Sequence, residues 1–152
     1  MNRFRFRFQR ILDLSEREEE QRKNELAAAM GKVYAEEQKS AHLHRTRDFS
    51  ENEVLALSER GQLNLTELTL FWSYLQRLER EMGDQRTRIR AAEQDAEKKR
   101  QILLEATMDK KKLENLKERR YAEYLKEVNR EERATLDEVG SRTVALKKRI
   151  SE

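Results

Sequence analysis

Ser58-Glu59-Arg60-Gly61-Gln62-Leu63-Asn64-Leu65-Thr66-Glu67 is the stretch on which the fold is decided. Gly61 can take the left-handed backbone conformation that terminates a helix. Asn64 followed by Glu67 has the N-cap and N3 spacing of a capping box, with Asn in place of the usual Ser or Thr. One helix stops and another starts within a few residues. A connection this short favours antiparallel neighbours.

On either side of this break, residues recur at alternating steps of three and four. Upstream the row is Phe8, Ile11, Ser15, Glu18, Arg22, Leu26, Ala29, Val33, Glu36, Ser40, Leu43, Arg47, Ser50, Val54 and Leu57. Downstream it is Leu68, Phe71, Leu75, Leu78, Met82, Gln85, Ile89, Ala92, Ala96, Lys99, Leu103, Ala106, Lys110 and Leu113. With one slip it runs on through Lys117, Tyr121, Tyr124, Val128, Thr135, Val139, Leu146 and Ile150. Such spacing is a coiled-coil seam, thinned here by polar members. The fold class is therefore all-α: a long antiparallel two-helix coiled-coil hairpin forming a single domain over residues 1–152. The expected elements are a helix over about 8–57, a turn over about 58–64 and a helix over about 65–148. At about 1.5 Å per residue these are rods of roughly 75 and 125 Å, so the second helix overhangs the first. Symmetric closure pairs positions whose numbers sum to about 123 and leaves residues beyond about 119 without an intrachain partner.

Composition agrees. Ala, Glu, Lys, Leu and Arg make up 89 of 152 residues, and there is no proline. That inventory suits long helices and serves sheets or turn-rich compact folds poorly. With 33 Lys and Arg against 30 Asp and Glu, the net charge is only +3. The near balance argues against a disordered chain and gives a weak field for acidic partners. No cysteine is present, so neither a disulfide framework nor a thiolate metal site is available. No apolar run approaches the length of a membrane span, and the N-terminus lacks the apolar core of a secretory signal. The expected setting is cytoplasmic.

Chemistry has little to work with. His42 and His44 lie two apart on a helix, on different faces, and cannot chelate one metal ion. The many carboxylates alternate with Lys and Arg at i,i+3 and i,i+4, the pattern of a solvated helix face. No phosphate-cradling GxxxxGK[ST] loop exists among four dispersed glycines. Lys98-Lys99-Arg100 and Lys110-Lys111-Lys112 are interleaved with Glu97, Glu105, Asp109 and Glu114, which suits a solvated face rather than nucleic acid. The expectation is no enzyme, no cofactor, no metal and no nucleic-acid partner.

Two regions look adhesive. Arg3-Phe4-Arg5-Phe6-Arg7-Phe8 alternates with period two, a strand signal if taken literally. On a helix, Phe4, Phe8 and Ile11 form one stripe while Phe6 points away. The segment can cap the coiled coil, anchor in a protein pocket, or make at most weak contact with an anionic membrane. The second region follows the break. Leu65, Leu68, Leu70, Phe71, Trp72, Tyr74, Leu75 and Leu78 encircle their helix, and one antiparallel partner covers only one stripe. Phe71, Leu75 and Leu78 fall on the seam, which leaves Trp72 and Tyr74 as exposed anchors. Phe49 should lie opposite Tyr74.

Phe6-Arg7-Phe8-Gln9-Arg10-Ile11-Leu12-Asp13-Leu14, followed by an acidic run, resembles the opening of the flagellar FliJ family. Leu113-Glu114-Asn115-Leu116-Lys117-Glu118-Arg119-Arg120-Tyr121, with Tyr124, Glu127, Arg130-Glu131-Glu132 and Asp137-Glu138, is similar to its C-terminal pattern. The resemblance implies a stalk-like, non-catalytic component of the flagellar type III export apparatus. Such a stalk couples the hexameric export ATPase to the cytoplasmic part of the export gate. It also assists export as a chaperone or escort, with export chaperones or substrates as further partners, at the cytoplasmic face of the inner membrane. Matching positions give the expected gate contacts as Gln38, Phe49, Tyr74 and Leu78, to which exposure adds Trp72. The ATPase contacts are expected at the opposite end, from Phe4, Phe8, Ile11, Leu116, Arg119, Arg120 and Tyr124. Two other readings fit the residues alone: a structural homodimeric coiled-coil scaffold and a membrane-surface helical module.

Overall fold

The computed structural model describes the backbone of residues 3–150 and the side chains of residues 3–145. Two helices account for nearly all of it: α1, Gln9–Glu59, and α2, Leu65–Ile150. They pack against each other as a helical hairpin, and there is no strand among the described residues. Contacts divide the chain into two compact units. One joins the residues up to Glu18 to those from Ala106 onward; the other is Glu19–Glu105.

The second unit contains the connection. Gly61 has φ 66°, the left-handed conformation. Gln62 N–H donates to Leu57 C=O and Gly61 N–H to Ser58 C=O, both at 3.0 Å. This is a Schellman ending, in which two of the last carbonyls of α1 are satisfied by the chain that leaves it. Three residues later the capping box is closed in both directions. Glu67 N–H donates to Asn64 Oδ1 at 2.8 Å, and Asn64 N–H to Glu67 Oε2 at 3.0 Å. The Glu67 carboxylate also complements the positive end of α2.

Most of the α2 seam packs as its spacing requires. Leu78, Met82, Gln85 and Ala96 are buried, and Leu68, Phe71, Leu75, Ile89, Ala92, Lys99 and Leu103 are half-buried. From α1, Ala29 is buried and Arg22, Leu26, Val33, Glu36, Ser40, Leu43, Arg47, Ser50, Val54 and Leu57 are half-buried. Polar members find partners across the seam. Gln85 Nε2 donates to Glu36 C=O at 3.0 Å and also to the Glu36 carboxylate. Arg47 reaches Glu79 at 3.9 Å. The thin core shows in its membership: among the described residues no large side chain is fully buried.

Near the start of α1 two expected seam positions are each displaced by one residue. Leu12 is buried, whereas Ile11 is 50% exposed; at the start of the second unit Glu19, not Glu18, is buried. The row Leu12, Ser15, Glu19, Arg22 keeps the three-four rhythm and joins the seam correctly at Arg22. The first helical bond is Leu12 N–H to Phe8 C=O at 3.0 Å, so residues 3–8 are outside the helix and the expected stripe does not form. Phe6, expected to point away, is the buried one at 9% exposure, while Phe8 is 37% exposed. Downstream, Leu113 and Lys117 are half-buried, Tyr121 is exposed, and Tyr124 and Val128 are half-buried again. Every side chain from Asn129 to Ala145 is exposed, including Leu136, Val139 and Val144. Leu146 and Ile150 lie outside the described side chains.

Candidate functional site

In the second unit, the end that holds the connection exposes a group of large apolar side chains. Leu65 is 82% exposed and Trp72 62%; Phe49, Leu55 and Leu70 are likewise exposed. Helix phase explains the division. Phe71, Leu75 and Leu78 recur at four and three and turn toward α1, and their neighbours Leu70 and Trp72 must turn away. Tyr74 is half-buried, with the Arg77 guanidinium over its ring at 5.5 Å. Leu78, expected as a gate contact, is 4% exposed and belongs to the core. It can hold the surface in shape from beneath. No ring contact joins Phe49 to Tyr74, and Phe49 is open to solvent.

Phe49 and Gln38 are exposed and lie eleven residues apart, three turns of α1, and so share a face. Gln38 edges an open groove of about 620 Å³ with Lys39, His42, Leu43, Glu81, Asp84, Gln85 and Arg88. Glu36 is held nearby. The Lys39 ammonium at 2.9 Å, then the Gln85 amide, keep its carboxyl below the usual carboxylate range. A smaller groove of about 540 Å³ lies at Trp72, lined also by Glu51, Leu75, Gln76, Glu79 and Arg80. Arg47 bonds Asp48 at 3.0 Å, and this bond, with the other carboxylates around it, raises its already high pKa.

The first unit gathers most of the residues expected to meet the ATPase. Phe4 packs edge-on against Tyr121 with ring centroids 5.2 Å apart, and against Tyr124 at 5.5 Å. Phe6 and Phe8 meet at 5.9 Å. Through Phe4 the non-helical N-terminal segment packs on α2. Leu116 is half-buried; Arg119 and Arg120 are exposed, and Arg120 pairs with Glu123 at 3.0 Å. Phe8 and Ile11 are at the surface. Tyr121 was not among the expected site residues, although its distance of three from Tyr124 puts both on one face.

Among the described residues, no group of three or more His, Cys, Asp or Glu is placed to hold a metal ion. No helix among them is long and apolar enough to cross a membrane. What the geometry offers is surface: exposed aromatic and aliphatic side chains on rigid helices, in two separate places. Compared with known proteins, residues 4–149 match the family model described as Flagellar FliJ protein. No curated protein and no solved structure matches the chain.

Proposed function

The chain belongs to the flagellar FliJ family, and from that premise, which gives it a role associated with flagellar type III export, we propose that it is a non-catalytic coupling element between the export ATPase and the export gate. The observation that supports this most is the exposed group at the turn end, Phe49, Leu65, Leu70 and Trp72. Aromatic side chains standing on rigid helices are effective hot-spot contacts. We assign the gate contact to this end, with Trp72, Tyr74, Phe49 and Gln38 at the surface and Leu78 behind them. We assign the ATPase contact to the first unit, through Leu116, Arg119 and Arg120 with Phe8 and Ile11, while Phe4 and Tyr124 brace one another. Escort of export chaperones or substrates, and work at the cytoplasmic face of the inner membrane, belong to the same proposal.

Binding of the full chain to the isolated ATPase and to the isolated cytoplasmic part of the gate tests it. Arg119→Glu with Arg120→Glu is expected to weaken ATPase binding at least about tenfold and to leave gate binding intact, since both side chains are exposed and only one holds an ion pair. Unchanged ATPase affinity with unchanged helix content would remove these residues from the contact.

A further inference from the structure

Between Arg47 and Arg77 the chain carries five carboxylates, on Asp48, Glu51, Glu53, Glu59 and Glu67, and one cation, Arg60. The whole chain is +3, so this negative stretch runs against the general balance. It is the same stretch that exposes Phe49, Leu55, Leu65, Leu70 and Trp72. A groove at the edge of this stretch is lined by Trp72, Leu75 and Gln76, with carboxylates at Glu51 and Glu79 and the cation Arg80. Two cations face these carboxylates. Arg47 lies 4.0 Å from Glu51 and 3.9 Å from Glu79, and Arg80 lines the same groove. Glu53 and Glu59 are exposed further along α1.

An apolar surface with a negative rim is complementary to an apolar stripe with a positive rim. A second copy of this chain fits badly, because a twofold contact at this end would set the same acidic groups against each other. We propose that the turn end of the second unit receives a basic amphipathic helix of a partner protein. An apolar side chain of that helix enters the groove against Trp72 and Leu75, and its Lys and Arg side chains spread over the surrounding carboxylates. The inference rests on the gate reading in one respect: it states that the gate segment meeting this end is basic.

Trp72 is the single tryptophan of the chain, so its emission reports occupancy of the groove. The full chain is titrated with a tryptophan-free amphipathic Lys/Leu helical peptide and with a Glu/Leu twin of the same spacing. A saturable blue shift with the Lys peptide and none with the twin is expected. Raising NaCl from about 50 to about 500 mM shortens the screening length from about 14 to about 4 Å and is expected to weaken binding at least about fivefold. Glu53→Lys with Glu59→Lys, which leaves the cap and Arg47 untouched, is expected to do the same. An equal response to both peptides, no response to either, or self-association that Trp72→Ala abolishes would overturn the proposal. A second arm repeats the titration with the cytoplasmic part of the gate. Gate binding that ignores both salt and the Glu53/Glu59 variant overturns the basic partner and leaves the gate reading standing. A bound Lys peptide with no gate binding does the reverse.

Discussion

Gly61 and Asn64 act on different termini, one releasing the chain from α1 and the other admitting it to α2. Gly61 supplies a positive φ that a side chain would strain, and no neighbouring atom comes within 4 Å of where a Cβ would lie. Gly61→Ala should therefore cost about 1–2 kcal/mol through conformation alone. Asn64→Ala opens one half of a reciprocal cap and should cost about 1 kcal/mol. Thermal melts by circular dichroism check both, each predicting a fall of a few degrees; an unchanged midpoint for either would show that the turn is held by something else. Glu36 gives a pH signature. Its carboxyl titrates below its unfolded value, so the stabilisation is present above about pH 4.3 and is lost as pH falls through the folded value. Glu36→Gln should slightly lower the neutral side of the melting-temperature profile and make its acid side less steep.

At the scale of helices, burial separates residues that the sequence lists side by side. Leu78→Ala should cost about 2–4 kcal/mol, because a buried leucine is cut away between two helices. Trp72→Ala, six residues earlier, should change stability by less than about 0.5 kcal/mol. Comparable losses in denaturant titrations would place Trp72 in the core. Helix phase puts Leu78 on the seam with Leu75 and Trp72 off it, but both count among the expected gate contacts, Leu78 by family resemblance and Trp72 by exposure, and only burial separates them. The turn was legible in advance, since Gly61 and the Asn64–Glu67 spacing are local chemistry. What could not be read was the phase near the start of α1, where Leu12 and Glu19 are buried and Ile11 and Glu18 exposed, nor how Phe4, Phe6 and Phe8 lie before it. The contact that decides the matter, Phe4 on Tyr121 and Tyr124, joins residues over a hundred positions apart and has no local signature. Phe6→Ala should accordingly destabilise the first unit more than Ile11→Ala, measured by amide exchange at Tyr121 and Tyr124.

For the molecule as a whole, the two surfaces belong to different parts of the chain and use different chemistry. The first unit offers exposed guanidinium groups on α2 beside an aromatic brace; the turn end offers apolar anchors with carboxylates around them. The proposed coupling role needs two contacts that can be lost separately. The deciding measurement is binding of the gate's cytoplasmic part by a Trp72→Ala, Tyr74→Ala double variant, with helix content and ATPase affinity measured on the same sample. Gate affinity should fall about 30-fold, as expected for removal of a hot-spot aromatic, with helix content and ATPase affinity unchanged. Gate affinity equal to that of the unaltered chain would contradict it.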